Sequence, residues 1–304
     1  MSETILHQGP PEDPPSGVTY PLVLRPAQLF RLAFGVLTAL AGFVVVVRFV
    51  SEVVLRIGFL LRGGGDYAAY AASALAYELP EGLLAGHLGL ASLTLVVLAI
   101  MRFLHGRAPR WTFSVQPGMR WRYLLVTLGI AFVVLNGMLW LSFLWTGAPE
   151  FNSGQLYAGW FVLVVLISSP LQALAEEVFF RGYVLQAMGS ASGRAWVGIV
   201  GSALLFALMH GVQNPALFVH RFAFGIVAGW LVVATGGLEA GIAAHVINNL
   251  GAFGYAIFTT SVADARAIQS ITWGKAAWDI LTFTVFALVA WWMGRRMRVA
   301  TTTP

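Results

Sequence analysis

The chain contains no cysteine. Disulfides, cysteine-based zinc sites and thiol nucleophiles are therefore excluded, and the usual clue to redox compartment is silent. Charge is scarce as well. Asp, Glu, Lys and Arg make up 10% of the 304 residues, against roughly 25% in a soluble domain. Two targeting patterns are absent: the cationic-then-apolar start of a cleavable signal peptide, and the Met-Gly or C-terminal Cys box of lipidation. The first membrane helix is thus expected to act as an uncleaved targeting element. No internal repeat is visible, which weighs against a transporter built on inverted symmetry. What is present is apolar: 58% of residues are hydrophobic and mean hydropathy is +0.78. This composition implies a multi-pass membrane protein with the lipid bilayer as its surroundings. The net charge of +5 does not point to nucleic acid, because the basic residues flank apolar runs, where they set topology.

A span needs about 20 mainly apolar residues. The pattern gives an all-α transmembrane bundle of about eight spans, with seven as the alternative count. They are Ala27–Val50, Leu83–Leu104, Tyr123–Trp145, Leu156–Met188, Ala195–His210, Ala216–Ala234, Leu238–Phe258 and Ala277–Met293. Residues 1–26, whose first 21 residues hold prolines at 10, 11, 14, 15 and 21, read as a disordered tail. Residues 27–155 hold the first three spans, 156–258 the region richest in buried polar groups, and 259–304 the last span and a basic tail. The Ala-rich stretch between the first two spans suggests an interfacial helix. Eight spans put both termini on one side, with the Arg102–Arg122 loop, Arg194 and the RRMR tail. The positive-inside rule makes that side cytoplasmic, in a bacterial or archaeal cell membrane. His87, His105, and Trp residues such as Trp111 read as interfacial, and Gly225-x-x-x-Gly229 reads as a packing contact. His220 and Arg221 begin the sixth span, where Arg221 could anchor at the interface or hold a substrate carboxylate.

The fourth span breaks the apolar rule. It carries Glu176, Glu177 and Arg181 within six residues, although one ionised side chain at bilayer depth costs at least ~2.5–3.5 kcal/mol on insertion scales. Glu177 and Arg181 are spaced i,i+4 on one helix face, so the guanidinium can neutralise that carboxylate. Glu176 points about 100° away and is free for another task. Across the turn near Ser190–Gly193, Glu176 lies about 15 residues before and His210 about 18 after, so at ~1.5 Å per residue they can meet. His245 and Asn249 share a face of the seventh span. His245 is only about seven residues from its helix start, so matching depths requires the fourth helix to protrude or tilt, or a span boundary to shift. A carboxylate beside an imidazole in a low-dielectric cavity can activate water as a general base. A second His and an Asn amide can stabilise a carbonyl oxygen that gains charge. Zinc on Glu176, His210 and His245 is an alternative, although no H-E-x-x-H or third His supports it. Structural clamping by Glu–Arg and helix gluing by Asn are the plain readings of the same residues.

Three motifs then stand in order: E-E-x-x-x-R at Glu176–Arg181, F-x-x-x-H at Phe206–His210 and H-x-x-x-N at His245–Asn249. Together they resemble the CAAX protease and bacteriocin-processing family of intramembrane proteases, over roughly Trp160–Phe258. The resemblance implies a helical bundle with a polar cavity open to the bilayer, acting on a membrane-bound protein or peptide. It implies that Glu176 with His210 activates water, that His245 with Asn249 forms the oxyanion hole, and that Glu177 and Arg181 support the site or touch substrate. No cofactor is favoured, with zinc as the alternative. Prenyl-CAAX cleavage and leader-peptide cleavage both fit, as does a non-catalytic role as membrane scaffold or bacteriocin self-immunity protein.

Overall fold

The computed structural model describes residues 6–152 and 154–304, and these form helices with no strand among the described residues. The helices are α1 (Leu29–Leu61), α2 (Tyr67–Leu75), α3 (Pro80–Leu104), α4 (Trp121–Thr146), α5 (Ala158–Ser192), α6 (Ala195–Leu208), α7 (Pro215–Thr235), α8 (Glu239–Thr259), α9 (Val262–Ala267) and α10 (Trp273–Arg296). Seven are long and apolar enough to cross a membrane. The protein is an integral, multi-pass helical bundle.

Two expected spans change. The first continues past Val50 to Leu61, because Glu52 and Arg56 pair at i,i+4 with 2.7 Å between them and need no break in the helix. The fifth, α6, has only 14 residues, about 21 Å, which falls short of a ~30 Å hydrocarbon core. The expected interfacial helix is α2, whose first amides at Ala68 and Ala69 are capped by the Asp66 carboxylate.

The expected disordered tail is also corrected for residues 6–26; residues 1–5 lie outside the described residues. His7 N–H donates to the Phe103 carbonyl at 2.7 Å and Glu12 N–H to that of Gly106 at 2.7 Å. Tyr20 is fully buried and its hydroxyl bonds to the Thr112 carbonyl. The Trp111 indole N–H, then the Arg110 guanidinium, hold the Asp13 carboxyl below its ordinary range. Thr19 bridges to Thr302, so the segment before α1, from residue 6 on, and the C-terminal residues meet at one end of the bundle. Average polarity suggested disorder, yet Tyr20, Val23 and Leu24 each reach the core, and the backbone finds partners across the loop after α3. The same contact accounts for Trp111, which is buried under this segment and not part of an interfacial belt.

Helix α5 sits centrally, packing against α3, α6 and α8. Small residues permit this closeness. Ala203 and Gly225 bring α6 and α7 together, since a Cβ on Gly225 would lie 2.7 Å from that of Ala203. At the terminal end a buried pair holds the start of α8. Arg120 binds both oxygens of Glu239 at 2.9 and 2.6 Å, and spends its remaining N–H groups on the carbonyls of Thr235 and Ala300.

Candidate active site

The site forms where α5, α6 and α8 converge. Helix α5 is α-helical to Glu177, then opens into a wider π-helical stretch over Val178–Val184. Such widened turns are common at functional sites. The i,i+4 pair survives the change: Arg181 Nη1 donates to Glu177 Oε1 at 3.1 Å, with both side chains fully buried. The guanidinium also lies over the Phe206 ring, 4.3 Å from its centroid.

Helix α8 brings His245 between the two carboxylates. Its Nδ1 is 2.9 Å from Glu177 Oε1 and its Nε2 3.5 Å from Glu176 Oε2. An ionised carboxylate only accepts, so Nδ1 carries the hydrogen it shares with Glu177. Depth is matched as the sequence required. Gly182 of α5 packs against Leu238 at the start of α8; Glu176 lies about 9 Å beyond Gly182, and His245 about 10 Å beyond Leu238. Helix α5 does protrude: its last two turns continue past this level, and Ser190 there bonds the Pro21 carbonyl at 3.0 Å.

Glu176 has a second partner. Gln172, one turn earlier, donates through Nε2 to Glu176 Oε1 at 2.7 Å and accepts from Asn249 Nδ2 at 2.7 Å. Sequence reasoning passed over Gln172, although its i−4 spacing from Glu176 was there to be read. It also passed over Ser168, a further turn back, which is 2.8 Å from Nδ1 of buried His87. His87 is therefore a core residue, contrary to the interfacial expectation. His105 is likewise engaged, 2.9 Å from the Tyr183 hydroxyl.

His210 stands just past the end of α6. Its Nδ1 is 2.7 Å from the Phe206 carbonyl, an acceptor only, so Nδ1 again carries the hydrogen and Nε2 is the free ring nitrogen. No hydrogen bond joins His210 to Glu176, which was the expected pair; the closer imidazole is His245. His210 remains within electrostatic reach of both. The rotation of α8 about its axis decides this, and helical periodicity within one segment does not fix rotation between segments. His220 faces Asp279 at 3.6 Å, and Arg221 donates to Gln213 at 2.8 Å. Among the described residues, no three His, Asp or Glu side chains are grouped so as to hold a metal ion.

All the site residues, from Gln172 to Asn249, fall in one segment. Residues 158–251 match the family model described as Type II CAAX prenyl endopeptidase Rce1-like. This segment is Rce1-like. The chain is also 25% identical over 213 residues to the uncharacterized protein YyaK of Bacillus subtilis, covering 65% of this chain and 71% of that one. The matched segment is similar to that family, and the helices before residue 158 pack against it.

Proposed function

We propose that the chain is an intramembrane endopeptidase in which Glu176 and His210 activate water against a peptide carbonyl. The observation that carries this reading is the contrast between the two imidazoles. His210 gives its Nδ1 hydrogen to a helix carbonyl, which leaves Nε2 with a lone pair to receive a proton. His245 sits between Glu176 and Glu177, which together can balance its charge when both ring nitrogens are protonated; Nε2–H can then donate to the carbonyl oxygen as it gains charge. Water adds to the carbonyl carbon, its proton passes to the Glu176–His210 pair, and that proton goes to the amine as the C–N bond breaks. In this reading the side chains activate the water themselves, with no metal. The substrate class is a membrane-associated protein or peptide, of CAAX or leader type. We place the end where the termini meet in the cytoplasm, because Arg107, Arg110, Arg120 and Arg295 gather there.

The test compares membrane-protein termini, by mass spectrometry, between cells expressing the native chain and cells expressing Glu176→Gln at equal abundance. A terminus found only with the native chain is expected, since removing a general base typically costs 10²–10⁴-fold in rate. Identical profiles, with the Gln variant still rescuing a deletion phenotype, would leave a scaffold or immunity role.

A further inference from the structure

We propose that Gln172 is a positioning residue for Glu176, and that Asn249 acts on the site through it. This inference rests on the hydrolytic reading of Glu176.

Chemistry fixes the direction of each hydrogen bond. An ionised carboxylate can only accept hydrogen bonds, so the group of Gln172 facing Glu176 Oε1 must be its NH₂. Its carbonyl oxygen then faces the other way and can only accept, so Asn249 must present its NH₂ there. Asn249 Oδ1 in turn accepts from Asn248 Nδ2 at 3.2 Å. One ionised group thus orders a chain of three amides, from Asn248 through Asn249 and Gln172 to Glu176. Both central contacts are 2.7 Å, short for N–H···O bonds and in the range of charge-assisted ones at the carboxylate end.

The amide chain restrains Glu176. Gln172 is 6% exposed and Glu176 8%, so bulk water is a poor substitute for this bond. With Oε1 held by Gln172, the carboxylate cannot rotate freely, and Oε2 is the oxygen turned to His245 Nε2. Of the two carboxylate oxygens, Oε2 is therefore the one available to a water proton. Asn249 has committed one amide hydrogen to Gln172, which makes it a support for the base. Gln172 sits on the same helix as Glu176 and Asn249 on α8, so the link also sets the position of α5 against the helix that carries His245.

A plainer role is interhelical glue, as amides in membrane helices often serve; such bonds average about 0.6 kcal/mol in double-mutant cycles. The two roles separate experimentally. The full-length protein is purified with Gln172→Leu, Asn249→Leu and both together, and kcat and KM are measured on a farnesylated peptide ending in a CAAX sequence. A hydrogen bond to a charged group is worth ≈ 1.5–3 kcal/mol, so Gln172→Leu should lose roughly 10- to 150-fold in kcat, and Asn249→Leu, which breaks an amide–amide bond worth ≈ 0.5–1.5 kcal/mol, roughly 2- to 10-fold, each with KM within about two-fold. The double variant should be no worse than the weaker single one, because both changes break one chain. Losses that multiply would overturn the proposal, as would unchanged kcat in Gln172→Leu accompanied by a lower melting temperature alone.

Should the native protein leave that peptide uncut, the hydrolytic reading of the substrate fails separately, and the wiring is read by nuclear magnetic resonance. The side-chain ¹⁵NH₂ signals of Gln172, identified by their loss in Gln172→Leu, should move in Glu176→Gln and in Asn249→Leu. Signals that stay in place in both variants overturn the chain.

Discussion

Two buried Glu–Arg pairs stand among the described residues, and they are built differently. Arg120–Glu239 at the start of α8 is saturated: Glu239 accepts from the Arg120 backbone as well as its guanidinium, and the remaining arginine donors close on two carbonyls. Glu177–Arg181 is not. Arg181 Nε and Nη2 and Glu177 Oε2 have no hydrogen-bond partner, although all are buried. Instead Glu177 spends Oε1 on both Arg181 and His245, and aromatic faces take up the guanidinium. A saturated pair fixes helices in place. An unsaturated one beside an imidazole holds a charge whose effect is passed to its neighbour. Burying ions that are only partly satisfied is costly, so the second arrangement is the one that needs a function to explain it.

The largest expected effect comes from removing either arginine. Arg120→Met and Arg181→Met should each destabilise the protein by about 3–5 kcal/mol, because each leaves a buried carboxylate unpaired; melting temperature and membrane abundance check this. The comparison sharpens with the doubles. Arg120→Met with Glu239→Gln should recover both abundance and peptidase activity. Arg181→Met with Glu177→Gln should recover abundance alone, since His245 has then lost the carboxylate that orients it. Recovery of activity in the second double would erase the distinction between the pairs.

A smaller effect is expected at the glycines that make room for each pair. A Cβ on Gly241 would meet Glu177 Oε2 at 3.0 Å, and one on Gly237 would crowd Glu239, Arg120 and Ser114. Each Ala substitution should cost about 1–3 kcal/mol through overpacking. Gly237→Ala should lower the melting temperature and leave kcat per folded molecule unchanged. Gly241→Ala should lower kcat as well.

The smallest effect separates acid sensitivity of the fold from that of the site. Burial, with the Arg31 and Arg107 cations adding to it, pushes the His105 imidazole down to about 4 from its ordinary 6.5. The folded state then binds fewer protons than the unfolded chain between these values, so this stability is complete above pH 6.5 and is lost as pH falls towards 4. From pH 6.5 to 5 the loss is about 2 kcal/mol. His105→Gln should flatten the decline in melting temperature over that range while the pH dependence of kcat stays as in the native protein.

Much of the site was legible because helical spacing is local. Glu177 and Arg181 pair as i,i+4 predicts, and Gly225-x-x-x-Gly229 is a packing face, with Gly229 against Ile199. Gln172 obeyed the same rule and was readable in principle. Its importance was not, because a lone amide in an apolar run gives no sign of what it faces. His87 and Trp111 looked interfacial from their place near segment ends. Their partners, Ser168 and Asp13, are 81 and 98 residues away in the chain, beyond any local pattern.

The sequence alone determined that this chain is helical and membrane-embedded, and that its three polar motifs lie on three late segments. Hydrophobic runs and i,i+4 spacing are properties of single helices, and apolar length and the cost of buried charge are felt one segment at a time. Tertiary structure decided how the helices turn towards one another. It put His245 and not His210 against Glu176, linked Asn249 to Gln172, shortened α6, and drew residues 6–26 over one end of the bundle. Those outcomes depend on rotation and depth between helices, which are set by packing across the whole bundle.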